Sequence, residues 1–258
     1  MKGWHIFLHS ARLVLRNWKE ALQIGLLPIG LMIVVGLLVL GGDFWAIAAQ
    51  GGPDVLADDF SAMAGLGVSF ALVWIFGLFM MLSVIVNWHR FVLLEHYPAG
   101  WVPAFHLALA LGYFGRILML VLLAMLIMLP LGIMGAALDG GSGGSGAFTT
   151  IIVLVAGLFL GIAFYRVAAI LPAGAIGKPI SLRQAWEATQ GATGTIIVLV
   201  LVLFIANLVL QLAVAALMLI FAPLGLLAAV VAGVFWGLVS VSVLTTFYGH
   251  YIEGRPIG

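Results

Sequence analysis

Between Ala188 and Ile252 the chain contains no Asp, Glu, Lys or Arg. A soluble fold carries roughly 25% charged residues, because its surface must be well solvated. Here the charged share of the 258 residues is 7% and the hydrophobic share 65%. Lipid or other apolar helices must therefore stand in for water around most of the chain. Open strands are excluded as spanning elements, since their edge amides would go unpaired in hydrocarbon. The expected class is all-α, a polytopic helical membrane bundle.

Six apolar stretches fall near Leu22–Gly41, Met63–Asn87, Ile117–Leu138, Thr150–Val167, Ile196–Ala216 and Leu224–Phe247. Each is close to the ~20 residues that a helix needs to cross ~30 Å of hydrocarbon. A secretory signal is the competing reading of the first. Lys2, Arg12, Arg16 and Lys19 precede it, and Ala46-Ile47-Ala48 has the form of a cleavage triplet. That run is span length, however, where a signal core has about 7–15 residues. It reads as an uncleaved first span.

The segments between the spans alternate in charge. All 10 Lys and Arg lie before span one, after spans two, four and six, or just before span three: Lys2, Arg12, Arg16, Lys19, Arg90, Arg116, Arg166, Lys178, Arg183 and Arg255. The segments after spans one and three carry none, but hold Asp43, Asp54, Asp58, Asp59 and Asp139. Cations stay on the cytoplasmic side of a bacterial inner membrane. This segregation predicts six spans with both termini cytoplasmic and the acidic loops outside. The formal net charge of +1 points to no nucleic-acid partner. With no cysteine, disulfides, thiolate metal sites and cysteine nucleophiles are excluded.

The two acidic loops read as bland. Gly51-Gly52-Pro53 is a turn, and the stretch from Asp139 to Gly146 is a flexible tether without ordering chemistry. Spans five and six are joined by a very short apolar turn at Ala222-Pro223-Leu224-Gly225.

The basic segments resemble one another. Trp4–Leu22 places Trp4, Phe7, Ala11, Val14, Trp18 and Leu22 on one helical face, opposite His5, His9, Arg12, Arg16 and Lys19. That pattern predicts an amphipathic helix in the headgroup layer, with Arg12, Arg16 and Lys19 as its membrane-interface cations. A second such segment begins near Trp101, with Phe105, Leu109 and Tyr113. A third begins at Ser181, where Gln184 completes a capping box. Its Arg183 and Glu187 form an i, i+4 ion pair, and Leu182, Ala185, Trp186, Thr189 and Ala192 make the apolar stripe. The spans exit through Asn87-Trp88-His89-Arg90, Ala163-Phe164-Tyr165-Arg166 and Phe247-Tyr248-Gly249-His250. We read one membrane domain, 1–258, of three two-span pseudo-repeats at 1–100, 101–179 and 180–258, each with an interfacial helix.

Trp88-His89-Arg90-Phe91-Val92-Leu93-Leu94-Glu95, Leu171-Pro172-Ala173 and Ser181 through Gly191 resemble uncharacterised proteobacterial inner-membrane proteins of the YciC-like kind. These are similar to the membrane domain preceding some bacterial glycerophosphodiester phosphodiesterases. The resemblance implies the inner membrane and carries no catalytic residue; no segment is long enough to hold a soluble phosphodiesterase domain.

Residues that could carry chemistry are few. His5 and His9 have the spacing of a helical metal pair, but nothing on that face completes a site, so they read as headgroup-facing; no metal or cofactor is expected. Arg90, Arg116, Arg166 and Arg183 are the lipid-binding candidates, since planar guanidinium suits phosphate. The plainer reading makes them span-flanking anchors. Asn207 and Gln211, one turn apart in span five, read as interhelical glue at roughly 0.6 kcal/mol each. Gly157-x-x-x-Gly161 and Gly233-x-x-x-Gly237 read as close-packing ridges inside the monomer. No ionisable group is expected near mid-span, which counts against ion-coupled transport. A composite site of Glu95, His89 and Glu187 is the one arrangement that would permit acid–base catalysis. The expected function is therefore non-enzymatic: an accessory or scaffold component of an inner-membrane assembly, or an envelope-maintenance factor, with phospholipids and other membrane proteins as partners. The alternative is a lipid or small-amphipath carrier.

Overall fold

The computed structural model describes residues 2–49, 60–140 and 146–257. The turn at Gly51-Gly52-Pro53, the acids Asp54, Asp58 and Asp59, and the Gly/Ser residues 141–145 lie outside the described residues. The chain is 85% helical. Nine helices occur among the described residues: α1 (Lys2–Arg16), α2 (Trp18–Ala49), α3 (Phe60–Leu94), α4 (Leu107–Leu138), α5 (Ala147–Val167), α6 (Ile170–Ala175), α7 (Leu182–Ala188), α8 (Thr193–Ile220) and α9 (Ala222–Tyr251). Of these, α2, α3, α4, α5, α8 and α9 are long and apolar enough to cross a membrane. The protein is an all-α, multi-pass membrane bundle.

Packing is most extensive between sequence neighbours, α2 on α3, α4 on α5, and α8 on α9. The α3 and α9 helices also meet each other, and α3 meets α4. All three clusters of buried apolar side chains lie toward the end that carries Lys and Arg, here termed the basic end. Toward the other, acidic end the spans expose large apolar side chains such as Leu37, Leu38, Leu126, Leu154 and Leu219.

The amphipathic N-terminal helix differs from its sequence reading in two ways. It stops at Arg16, and Trp18 and Leu22 belong to the spanning helix α2. Its buried face is Gly3, Ile6, Ser10 and Val14, while Trp4 is exposed. The face is rotated because α1 docks on α8 and α9 rather than only floating on lipid. Small residues allow that approach: a Cβ on Gly3 would stand 2.4 Å from the Thr195 carbonyl oxygen. No separate interfacial helix begins near Trp101. Residues 95–106 are non-helical, and Leu107–Arg116 is simply the start of α4. The third segment starts as expected, but its helix ends at Ala188, so Thr189 and Ala192 of the expected stripe lie beyond it and Trp186 is exposed. Ser181 accepts from the Gln184 N–H, the Gln184 side chain accepts from the Ser181 N–H, and α7 follows.

One element has no counterpart in the sequence reading. After α5 the chain turns into α6, whose six residues are all buried between α3, α4 and α9. It ends in a left-handed Gly177 (φ 76°), with Lys178 N–H donating to the Ala173 carbonyl and Gly177 N–H to that of Gly174. This double bond closes the orphan carbonyls of a short helix, and glycine permits it without a Cβ clash.

Ties among the described residues of the acidic end include a tight turn and a carboxylate. Spans five and six turn at Phe221 alone, with Gly225 so close to Met218 that a Cβ would lie 2.4 Å from its Cα. The stretch after α4 is not a plain tether: Asp139 accepts from Phe148 N–H (3.1 Å), Thr149 N–H (2.8 Å) and Thr149 Oγ1 (2.6 Å). A carboxylate at the start of α5 satisfies orphan amides and meets the positive end of the helix dipole. These bonds hold its carboxyl below the usual aspartate range.

The glycine ridges are corrected. An added Cβ at Gly157, Gly161, Gly233 or Gly237 would meet nothing within 4 Å. They do not pack spans together among the described residues; the tight approaches there are at Gly3, Gly135, Gly146, Gly174 and Gly225.

Candidate functional site

The end of α3 brings chemistry to the basic end on two sides. Successive helix residues diverge by ~100°, so Trp88 and His89 point to different neighbours although both are wholly buried. Trp88 Nε1–H donates to Ser242 Oγ (2.7 Å), whose own proton goes to the Leu238 carbonyl one turn back. His89 Nδ1 lies 2.7 Å from Thr245 Oγ1, and its Nε2 lies 3.3 Å from the Tyr113 hydroxyl. Thr245 in turn donates to the Val241 carbonyl. The assignment that satisfies every group puts the ring proton on Nδ1 and has Tyr113 donate to Nε2. One neutral imidazole thus ties α3, α4 and α9. Ser10 of α1 donates to the Ile6 carbonyl and sits 3.0 Å from Thr246 Oγ1, which adds α1 to the set. His89 is therefore a buried structural hub. The sequence signal for it was Ser242 and Thr245 on span six, at a spacing that puts both hydroxyls on one face.

The other side of the α3 terminus forms a cavity of about 580 Å³. Glu95 leaves the helix in the left-handed region (φ 55°), alone among the described non-glycine residues. That reversal lets His96 N–H reach back to the Arg90 carbonyl and folds residues 96–106 over the helix end. Asn87 Nδ2 fastens the loop at its far side, donating to the Ala104 carbonyl at 2.9 Å. Asn87, Arg90, Glu95, His96 and His106 supply the polar wall of the enclosure, with Ile24 and Val102 in the apolar part. Arg90 Nη2 lies 3.1 Å from His96 Nδ1. It forms no ion pair with Glu95 or any other carboxylate among the described residues. Burial, followed by the charges of Arg90 and His96, lowers the pKa of His106. Val102 also lines an adjoining apolar groove of about 360 Å³ that follows α2 through Leu26, Leu27, Gly30 and Leu31, with Trp101 at its edge.

The other arginine candidates are engaged elsewhere, and no two of the four share a partner. Arg116 donates to the Gly112 carbonyl and covers Gly174 of α6. Arg166 donates to the Trp186 carbonyl (3.0 Å), with its guanidinium 3.6 Å from the centre of the Trp186 ring, and so caps the last turn of α7. Arg183 pairs with Glu187 at 2.7 Å on the surface, both side chains being exposed. Arg255, by contrast, serves the α3 end: its Nη2 donates to the Leu93 carbonyl at 2.8 Å, and it pairs with Glu253. Gly249 leaves room for that side chain. Arg12, Arg16 and Lys19 are exposed, as an interfacial face requires. His9 has its pKa lowered by partial burial, then by Arg16 and Arg12.

Glu95, His89 and Glu187 share no partner: His89 is occupied by Thr245 and Tyr113, and Glu187 by Arg183. No group of three His, Asp or Glu able to hold a metal exists among the described residues. Among the described residues Asn207 and Gln211 have no hydrogen bond to a neighbouring helix; with Tyr165, Trp236 and Ser240 they line a lateral groove of about 460 Å³. No family model matches the chain, and no curated protein and no solved structure matches it.

Proposed function

We propose that this is a non-enzymatic protein of the bacterial inner membrane, with both termini cytoplasmic, that binds one anionic phospholipid at the α3 terminus. The observation that carries the reading is the continuity of two spaces. A polar enclosure holds an arginine without a carboxylate partner, and an apolar groove along α2 begins at the same Val102. A phosphate needs the first, with guanidinium and imidazole as donors. An acyl chain needs the second, at the depth where it would lie in the bilayer. The charge segregation supports the cytoplasmic placement of this end, where anionic headgroups are also attracted to basic segments. The resemblance to YciC-like proteins accords with the same membrane.

The test is native mass spectrometry of the protein extracted in mild detergent, with phosphatidylglycerol and phosphatidylcholine in competition. One retained anionic lipid is expected, lost in Arg90→Gln and kept in Arg183→Gln. Equal retention in both variants, or equal binding of the zwitterionic lipid, overturns the proposal. The reading as an accessory or scaffold subunit of a membrane assembly has one observation of its own in favour, the lateral groove beside Asn207.

A further inference from the structure

Asn207 stands at the middle of α8, and Gln211 one turn nearer the acidic end. A primary amide in hydrocarbon loses its water, and each donor or acceptor left unmade there costs free energy. Neither side chain bonds to another of the described residues, and Gln211 is exposed. The other polar side chains lining the groove are those of Tyr165, Trp236 and Ser240, the last already donating to the Trp236 carbonyl.

The surroundings select the occupant. A phospholipid offers only methylene groups at this depth, so it cannot answer an amide. A helix can. The flanking spans also present the surface that a helix needs: Gly233, Trp236, Gly237 and Ser240 share one face of α9, and Gly157 and Gly161 run up to Tyr165 on α5. All four glycines are open to an added Cβ, which permits close backbone approach.

We propose that the groove formed by α5, α8 and α9 binds α8 of a second copy of this chain, in a two-fold dimer held by Asn207 and Gln211. Two copies inserted in the same direction are related by an axis along the membrane normal. Such a rotation preserves depth, so each amide meets its own counterpart. An amide carries both donor and acceptor, and is therefore complementary to itself. The proposal goes beyond the lipid reading and is independent of it, because the groove and the Arg90 enclosure share no residue.

The chain contains no cysteine, so disulfide trapping in native membranes reads the contact directly. Leu208→Cys should give a cross-linked band at twice the monomer mass, whereas Leu126→Cys, on α4, should not. Adding Asn207→Leu and Gln211→Leu to the Leu208→Cys chain should lower the dimer yield at least about tenfold. The doubly substituted protein should keep its thermal unfolding temperature in detergent, since no intramolecular bond is lost. Absence of the dimer band, a band with a different protein instead, or a dimer indifferent to both substitutions would each overturn the proposal.

Discussion

The two ends of this bundle solve different problems. At the basic end six spans and three short helices converge on buried tryptophan, histidine and small hydroxyl side chains. Toward the acidic end the same spans expose Leu37, Leu126 and Leu219. Apolar side chains alone do not draw helices together in lipid, because acyl chains solvate them equally well. The difference teaches that convergence occurs where close approach combines with directional bonds. Among the described residues the acidic end is tied by Asp139 bonding to α5, by Gly135 against Thr149 and by the Gly225 turn.

The sharpest way to break this contrast is to truncate one large side chain at each end. Trp88→Ala removes a fully buried indole and its bond to Ser242, and should cost about 3–5 kcal/mol in detergent unfolding. Leu126→Ala, 72% exposed on α4, should change stability by less than about 0.5 kcal/mol. Comparable losses would mean that the acidic half is as tightly held as the basic half.

Glycines give the next largest effect. Gly3→Val forces a side chain into the backbone of α8 at Thr195 and Leu199, atoms that cannot swing away. Overpacking of this kind costs about 1–3 kcal/mol, and should appear as faster hydrogen exchange across Lys2–Arg16. Gly157→Ala, with open space around it, should leave exchange in α5 unchanged.

His89→Leu sharpens the comparison by removing bonds while keeping volume. The hydroxyls of Tyr113 and Thr245 lose a partner, and Thr245 keeps its carbonyl. About 1–2 kcal/mol is expected in chemical denaturation. A neutral or stabilising result would show that apolar packing alone holds the α3–α4–α9 junction.

The smallest effect is at Asp139. Its carboxyl is held below the usual range, so its contribution is full above the unfolded-state pKa and fades as pH falls through the folded one. Acidification should therefore lower the protection factors of the Phe148 and Thr149 amides, each taken relative to its intrinsic rate at that pH, while those of α3 near Trp88 stay high. Asp139→Asn should abolish that pH response.

What could be read from the residues was the bilayer's share of the design. Span number and the capping box at Ser181 follow from one-dimensional patterns, and both stand in the structure. What escaped was three-dimensional adjacency. The α1 stripe was misplaced because periodicity sees apolar size, whereas the docking face is built partly from Gly3 and Ser10. The glycine ridges on spans four and six were given an intramolecular neighbour that they do not have. Helix α6 was missed because Leu171-Pro172-Ala173-Gly174 has the composition of a turn, and only burial on all sides makes it a helix. Of the lipid candidates, Arg90 could be named, but not its loop: the enclosure depends on the left-handed Glu95, for which sequence offers no sign.

Helix α6 has a consequence for permeation. From Ala168 to Ile176 the chain is buried apolar or small residues, lodged among α3, α4 and α9 at the basic end. An ion travelling along the axis of the bundle would meet this hydrocarbon stopper before reaching the aqueous side. It would have to shed its hydration shell there, and the Arg116 guanidinium packed against Gly174 would repel a cation. Conductance in a planar bilayer would therefore demand that Ile170–Ala175 leave its seat, which makes Gly177 the natural hinge to immobilise in any electrophysiological search for a pore.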